Sequence, residues 1–185
     1  MRKIIAAINT TLDAVCDHTA GIPDTQLHQH YTELLVRSDG ILYGRATFQL
    51  MEYWKTLLDN PSADKAMQDF AIAINNIPKI VFSNTLKRVD WKSARLAQRH
   101  LKEEVLELQT KPGRDILVGS RSIIIQLMNL NLIDELQLCI HPVIAGSGQP
   151  LFENINHSRV LQLAHTKTFT NGAFLLYYTV TKNTA

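Results

Sequence analysis

Short apolar runs alternate with amphipathic segments along the first two thirds of the chain, and this alternation constrains the fold more than any other feature. Four of the runs have the length and apolar character of buried strands: residues 3–9, 41–43, 79–82 and 115–118. Between them, apolar side chains recur at helical spacing. Strands that alternate with helices in this way predict a largely parallel sheet covered by helices.

The predicted helices begin and end at recognisable signals. Asp24 follows Pro23 as an N-cap of the first helix, and Lys111-Pro112-Gly113 ends the helix predicted from residue 100. On this basis we predict helices over residues 24–38, 46–53, 60–74, 100–108 and 120–130.

The last third of the chain has a different pattern. We predict strands over residues 136–143, 160–169 and 174–178, the last two joined by Asn171-Gly172 in a type I′ hairpin turn. The fold prediction is therefore an α/β single domain over residues 1–185, with a mixed, mostly parallel sheet flanked by helices and a C-terminal antiparallel hairpin. A chain of 185 residues is long enough to bury one substantial core.

Composition excludes several classes of protein. No apolar run approaches the roughly 18–20 residues of a membrane span, and the apolar stretch at the N-terminus fits a first strand better than a secretory signal. The 19 basic and 17 acidic residues give a net charge of +2 without a basic run, so nucleic-acid binding is not supported. Two cysteines, Cys16 and Cys139, are too few for a disulfide framework, which favours a cytoplasmic location.

Two predicted strands lead through a glycine directly into a helix, at Tyr43-Gly44-Arg45 and at Val118-Gly119-Ser120. Glycine lets the backbone approach a ligand closely, and the free N–H groups of a helix N-terminus favour anions such as phosphate. The alternative is that each glycine merely ends a strand. Two such junctions in one small domain favour a dinucleotide, although neither a G-x-G-x-x-G fingerprint ahead of a helix nor a P-loop motif occurs.

Metal and nucleophilic catalysis have little support. His28 and His30 are two residues apart on a predicted helix, whereas a shared ion there would need a spacing of four. No G-x-S-x-G motif occurs, and nothing around Cys16 marks an activated thiolate. We therefore predict no metal site.

Several motifs together resemble a known family. Ile5-Ala6-Ala7, Leu12-Asp13, Gly44-Arg45-x-Thr47-Phe48, Val81-Phe82-Ser83 and Val118-Gly119 occur in the order seen in dihydrofolate reductase-like proteins. Residues 132–152 resemble the reductase half of the bifunctional riboflavin-biosynthesis deaminase-reductase. The H-x-E and P-C-x-x-C zinc motifs of the deaminase half do not occur in this sequence.

The resemblance implies an NADPH-dependent reductase that transfers hydride to a small heterocyclic or sugar-derived substrate. It implies a nicotinamide flanked by the backbone of Ala7 and by the loop Leu12-Asp13-Ala14. The remaining cofactor contacts would come from three strand ends: Gly44, Arg45 and Thr47 for the pyrophosphate and 2′-phosphate, Ser83 and Asn84 for the adenosine end, and Gly119, Ser120, Arg121 and Ser122 for the pyrophosphate.

The chain departs from the family pattern at three positions. Ser120 stands where a second glycine is usual, and Ala14 stands in place of a loop glycine. His28 stands where dihydrofolate reductase has the carboxylate that binds the pterin. A neutral histidine offers one donor and one acceptor and cannot reproduce the paired hydrogen bonds of a carboxylate, so we expect no efficient folate reduction.

Two residues are candidates for catalysis, each with a structural alternative. His28 would donate a proton to the reduced centre, or it is a half-exposed helix residue at the mouth of the site. Asp13 would contact substrate, or it caps its own loop. Tyr31 and Trp54 are interpreted as packing residues.

Three functional hypotheses follow. The leading one is the NADPH-dependent reductase, resembling 5-amino-6-(5-phosphoribosylamino)uracil reductase. The alternatives are a nucleotide-binding module on the same fold without turnover, and a reductase of an unrelated small carbonyl or imine compound. The resemblance and the late apolar strands also predict a homodimer formed through the C-terminal part of the sheet.

Overall fold

The computed structural model describes residues 1–181 and places eight strands in one sheet. The strands are β1 (Ile4–Thr11), β2 (Gly40–Gly44), β3 (Lys79–Phe82), β4 (Ala94–Leu96), β5 (Ile116–Val118), β6 (Glu135–His141), β7 (Leu161–Thr168) and β8 (Phe174–Val180). Their order across the sheet is β4-β3-β2-β5-β1-β6-β8-β7. The first six strands in this order, from β4 at the edge across to β6, form parallel pairs, whereas β8 pairs antiparallel with both β6 and β7. The predicted mixed sheet with an antiparallel C-terminal hairpin is therefore confirmed.

Six helices connect the strands: α1 (Thr25–Val36), α2 (Arg45–Met51), α3 (Tyr53–Asp59), α4 (Lys65–Asn76), α5 (Leu101–Thr110) and α6 (Arg121–Asn129). Aspartates cap two of them, because Asp24 accepts the Leu27 N–H at the start of α1 and Asp64 accepts the Ala66 N–H at the start of α4. These caps satisfy backbone donors that a helix leaves unpaired in its first turn.

The central parallel strands are buried on both faces, as expected for parallel strands joined by helical crossovers. Alternate side chains of β1 show the division. Ile4 and Ile8 belong to a core shared with α5 and α6, whereas Ile5 packs in a core with residues of α1 and α4. The central strand β1 therefore lies between two helical layers.

Several element predictions were wrong. The short elements α3 and β4 were not predicted, since α3 buries no residue fully and β4 has only three residues. The helix predicted from residue 60 starts at Lys65, behind the Asp64 cap. The strand predicted to reach residue 143 ends at His141, because the following Pro142 has no N–H to continue a sheet.

The turn between β7 and β8 also differs from the prediction. The Phe169 carbonyl accepts the Gly172 N–H at 3.1 Å, and Gly172 has a φ of 82° whereas Asn171 is not among the residues with positive φ. This is a type I turn followed by a glycine bulge, not a type I′ turn. Asn171 instead donates through Nδ2 to the Ile22 carbonyl at 2.6 Å.

No helix within residues 1–181 is long and apolar enough to cross a membrane.

Candidate active site

The carboxyl ends of the parallel strands meet at one edge of the sheet. This edge carries Gly44 at the end of β2, Ser83 after β3, Gly119 after β5 and the last residues of β1 and β6. In open α/β sheets, ligands bind outside the carboxyl ends of the strands. The fold therefore brings the sequence-predicted cofactor residues to the edge where a ligand is expected.

An opening lies beside β1 at this edge. β1 pairs with β5 only from Ile4 to Ala6, whereas its pairing with β6 continues to Thr11. Within β1, Asn9 is exposed and Ala7 is partly exposed, and the other side chains of the strand are buried. An exposed side chain on a central strand means that the space above it is not filled by the covering helices. Ala7 and Asn9 thus form the floor of an open site.

The first glycine junction leaves an arginine unpaired. Gly44 is the backbone cap of α2, which has no side-chain N-cap. A Cβ at Gly44 would come within 3.0 Å of the Ser122 hydroxyl, so the two junctions pack closely. Arg45 is exposed and takes part in none of the hydrogen bonds or ion pairs found among residues 1–181. Thr47, two residues further on, is partly buried.

The second junction is built around Gly119 and Ser120. A Cβ at Gly119 would lie 2.9 Å from the ring of Tyr43, which leaves room only for glycine. The Ser120 side chain is 1% exposed, and its hydroxyl accepts the Gly44 N–H at 2.9 Å. Ser120 therefore points into the protein and ties the two junctions together, instead of projecting over the edge where a pyrophosphate would lie.

The two arginines of these junctions have different surroundings. Arg121 donates through Nε to the Pro150 carbonyl at 2.6 Å, and its terminal nitrogen lies 2.6 Å from the Glu153 carboxylate. Its guanidinium is thus engaged within the chain, whereas that of Arg45 is not. Of the two, Arg45 is the one available to a ligand phosphate.

The end of β3 forms a tight polar turn. The Ser83 hydroxyl accepts the N–H groups of Thr85 at 3.2 Å and Leu86 at 3.0 Å. Asn84 is exposed at the tip of this turn. The Ser83 side chain therefore stabilises the turn, whereas the Asn84 side chain faces solvent.

Asp13 bridges two loops at the edge. Its carboxylate accepts the Thr11 hydroxyl at 2.5 Å and the N–H groups of Ala145 at 3.1 Å and Gly146 at 2.7 Å. These hydrogen bonds lower the pKa of Asp13 to about 2. These contacts favour the loop-capping alternative for Asp13. Ala14 has a φ of 60°, the left-handed conformation that explains why glycine is usual here.

His28 lies among aromatic side chains. Its ring centroid is 5.8 Å from that of Trp54 and 6.1 Å from that of Phe70. Nδ1 is buried without a hydrogen-bond partner among the described residues. Burial lowers the pKa of His28, although the carboxylates of Asp64 and Asp24 act in the opposite direction. At neutral pH the imidazole is therefore uncharged.

A polar cluster that the sequence did not predict lies over the end of β1. The Tyr31 hydroxyl is 2.9 Å from Asn9 Oδ1, and His141 Nε2 is 3.3 Å from the same oxygen. The Ile22 N–H donates to His141 Nδ1 at 3.2 Å. Tyr31 is therefore more than a packing residue. The only sequence signal was Asn9 itself, a polar residue that shares a face of β1 with Ala7.

A separate cleft of about 390 Å³ opens elsewhere in the molecule. Its lining includes Ser38 and Asp39 ahead of β2, Pro78 ahead of β3 and Arg114 ahead of β5. These residues precede the strands, so this cleft lies at the amino edge of the sheet, away from the glycine junctions. No group of three His, Cys, Asp or Glu side chains within residues 1–181 converges as a metal site would require.

Known proteins with similar sequence and structure match nearly the whole chain. The uncharacterized protein YyaP of Bacillus subtilis strain 168 is 33% identical over 181 residues, which cover 96% of this chain and 94% of that protein. A putative riboflavin biosynthesis protein from Shewanella sp. PV-4 has a similar structure, with a TM-score of 0.71, 20% identity and coverage of 98% of this chain and 99% of that one.

A bifunctional protein has the same fold in part of its chain. The Thermotoga maritima diaminohydroxyphosphoribosylaminopyrimidine deaminase/5-amino-6-(5-phosphoribosylamino)uracil reductase matches with a TM-score of 0.63 at 16% identity, over 97% of this chain but 57% of that one. Residues 2–175 match the RibD C-terminal domain. The chain therefore belongs to the RibD C-terminal domain family.

Proposed function

We propose that this protein is an NADPH-dependent reductase that transfers hydride to a small heterocyclic or sugar-derived substrate, as a reductase of the riboflavin-pathway type does. The observation that carries the proposal is the opening beside β1, which exposes Ala7 and Asn9 on a central strand. It lies at the same sheet edge as the two glycine junctions. Membership of a family of reductases and the riboflavin-biosynthesis proteins among the structural neighbours support this assignment.

The chain offers a donor set that suits a dinucleotide phosphate. The α2 and α6 helices both lack a side-chain N-cap, whereas α1 and α4 are capped by aspartates. First-turn N–H groups left free in this way bind anions. In our proposal the residues of the first junction, with the unpaired Arg45, hold the pyrophosphate and the 2′-phosphate. The residues after Gly119 hold the pyrophosphate from the other side, and Ser83 and Asn84 contact the adenosine end.

The cofactor, when bound, supplies the hydride, so the protein must orient it and exclude water. Ala7 contributes backbone beside the opening, and the Asp13 bridge fixes the loop that borders it. His28 is our proposed proton donor. Because its imidazole is uncharged at neutral pH, replacement by phenylalanine should lower kcat most strongly on the acidic side of the pH profile.

A parallel titration with NADPH and NADH tests the proposal. Both tryptophans, Trp54 and Trp91, report binding through quenching of their fluorescence, and Trp54 lies beside His28. We expect NADPH to bind more tightly than NADH, and NADPH oxidation in the presence of 5-amino-6-(5-phosphoribosylamino)uracil. Absence of binding to either cofactor would overturn the proposal.

A second candidate is a nucleotide-binding module without turnover. It is favoured by His28, which stands where dihydrofolate reductase has a carboxylate and is half-buried beside Trp54 and Phe70. This candidate predicts NADPH binding without oxidation against any acceptor. A panel of small carbonyl and imine compounds separates it from the third possibility, a reductase of an unrelated substrate.

We also propose a homodimer formed through the C-terminal part of the sheet. β7 is the edge strand at the C-terminal side of the sheet, and its residues are exposed along nearly its whole length. Val160 and Leu163 add apolar surface there, at 88% and 50% exposure. Unpaired edge strands readily pair with a second chain. Sedimentation as a 20.9 kDa species at micromolar concentration would contradict the dimer.

Two free thiols, Cys16 and Cys139, support the proposed cytoplasmic location.

A further inference from the structure

We propose that Asn9 is a ligand-binding residue whose side-chain amide donates a hydrogen bond to an acceptor atom of the bound cofactor or substrate. Tyr31 and His141 are positioning residues that hold the amide in this orientation. The inference rests on the proposed reductase function and identifies one specificity-determining contact of that site. It follows from three hydrogen bonds that join residues distant in the sequence.

A backbone contact fixes the tautomer of His141. The Ile22 backbone N–H points at Nδ1 over 3.2 Å. A backbone N–H can only donate, so Nδ1 carries a lone pair and the proton of the neutral ring is on Nε2. Burial lowers the pKa of His141, which favours this neutral form against the opposing charge of Asp24. Gly21 packs against the ring, with its would-be Cβ 3.3 Å from Nε2.

His141 in turn fixes the orientation of the Asn9 side-chain amide. Because His141 Nε2 is a donor, its partner at 3.3 Å must be the amide oxygen of Asn9 and not the amide nitrogen. The Tyr31 hydroxyl, 2.9 Å from that same oxygen, must then also donate to it. Two donors on Oδ1 leave Nδ2 directed away from both rings. A single backbone N–H thus determines which end of the Asn9 amide faces the opening.

The Asn9 side chain is open to a ligand. Asn9 is the exposed side chain of β1, a strand that lies between β5 and β6 in the sheet. No hydrogen bond among residues 1–181 uses Asn9 Nδ2. On the same face of β1, Ala7 lies two residues earlier and is also accessible. The amide nitrogen is therefore a fixed, unused donor on the floor of the opening, which suits a carbonyl oxygen or a ring nitrogen with a lone pair.

The Asn9→Asp variant tests this inference with little change in shape. The carboxylate still accepts from Tyr31 and His141, but the ligand-facing donor becomes an acceptor that repels the ligand atom. We expect binding to weaken roughly tenfold or more, as for a lost hydrogen bond that leaves an unpaired group. Asn76→Asp, on the exposed end of α4, is the matched control for the added charge. Thermal unfolding of both variants confirms that they are folded.

Two readouts distinguish the source of the acceptor. A weaker NADPH affinity in the titration assigns the acceptor to the cofactor. An unchanged NADPH affinity with a raised KM for the pyrimidine substrate, at similar kcat, assigns it to the substrate. Either result supports the inference, and Tyr31→Phe should then give a smaller loss of the same kind, since one donor to Oδ1 remains.

The outcomes that overturn the inference are separate from failure of the reductase assignment. If the wild-type protein binds NADPH and Asn9→Asp behaves like Asn76→Asp in both readouts, Asn9 is not a ligand contact. Nitrogen NMR of the histidines, on the protein alone, gives an independent check. A protonated Nδ1 on His141 would reverse the orientation argument and overturn the inference. If the wild-type protein binds neither cofactor, the reductase assignment itself fails, and the inference with it.

Discussion

Replacing Ser120 by alanine removes one buried hydrogen bond and little else. The Ser120 hydroxyl accepts the Gly44 N–H at 2.9 Å, and the side chain is 1% exposed. Without the hydroxyl, the Gly44 N–H has no acceptor from this side chain and water has little access to it. An unsatisfied buried donor costs about 1–3 kcal/mol. For a chain of 185 residues, each 1 kcal/mol corresponds to a fall in Tm of about 2–4 °C.

Urea and thermal unfolding of Ser120→Ala and the wild type measure this cost. Ser122→Ala is a matched control for stability, because Ser122 is exposed two positions further on and its hydroxyl makes no hydrogen bond among the described residues. We expect the control to stay within about 0.5 kcal/mol of the wild type. If Ser120→Ala is equally stable, the hydrogen bond to Gly44 does not join the two strand ends in solution, and our account of the family's missing glycine is wrong.

Three further predictions use different measurements. Arg45→Ala should weaken NADPH binding roughly ten- to a hundredfold in titration, while NADH binding changes little. Equal weakening of both cofactors would show that Arg45 contacts the pyrophosphate and not the 2′-phosphate. Unchanged binding of both would show that Arg45 contacts neither. The pKa of Asp13 in the folded protein is about 2, below its ordinary value of 3.8, so the stability that its loop contacts add is fully present above pH 3.8 and is lost as the pH falls toward 2. Asp13→Asn should therefore speed amide hydrogen exchange at Gly146 at neutral pH, and unchanged exchange would contradict the bridge. Burial lowers the pKa of Lys79 from 10.5 to about 7, so the unfolded chain binds more protons between these values and this group makes stability rise with pH there. In urea unfolding, the free energy of unfolding should rise less between pH 7 and 9.5 for Lys79→Met than for the wild type. An equal rise in both proteins would refute the lowered pKa of Lys79.

Local patterns predicted most of the fold because they report burial on one element at a time. The apolar run from Ile4 to Ile8 is buried on both faces and became the central strand. The helices after Gly44 and Gly119 begin where the glycines predicted them. By contrast, α3 and β4 bury little and carry weak local signals, so their existence depends on the neighbours against which they pack.

The candidate site shows a sharper division. Gly44, Arg45 and Gly119 were predicted from the sequence as residues at strand ends. That Arg45 is unpaired while Arg121 is held by Glu153 depends on a contact across the fold. The loop-bridging contacts of Asp13 likewise depend on the fold, which brings the N–H groups of residues 145 and 146 beside its carboxylate.

The sequence by itself determined the alternation of strands and helices, the antiparallel end and the two glycine junctions, because periodicity and turn chemistry are properties of neighbouring residues. Only the tertiary structure decided that β1 extends past β5, and that Asn9 meets His141 from 132 positions away. The physical reason is that pairing length and side-chain partners depend on how distant elements pack against each other, and no local spacing specifies this packing.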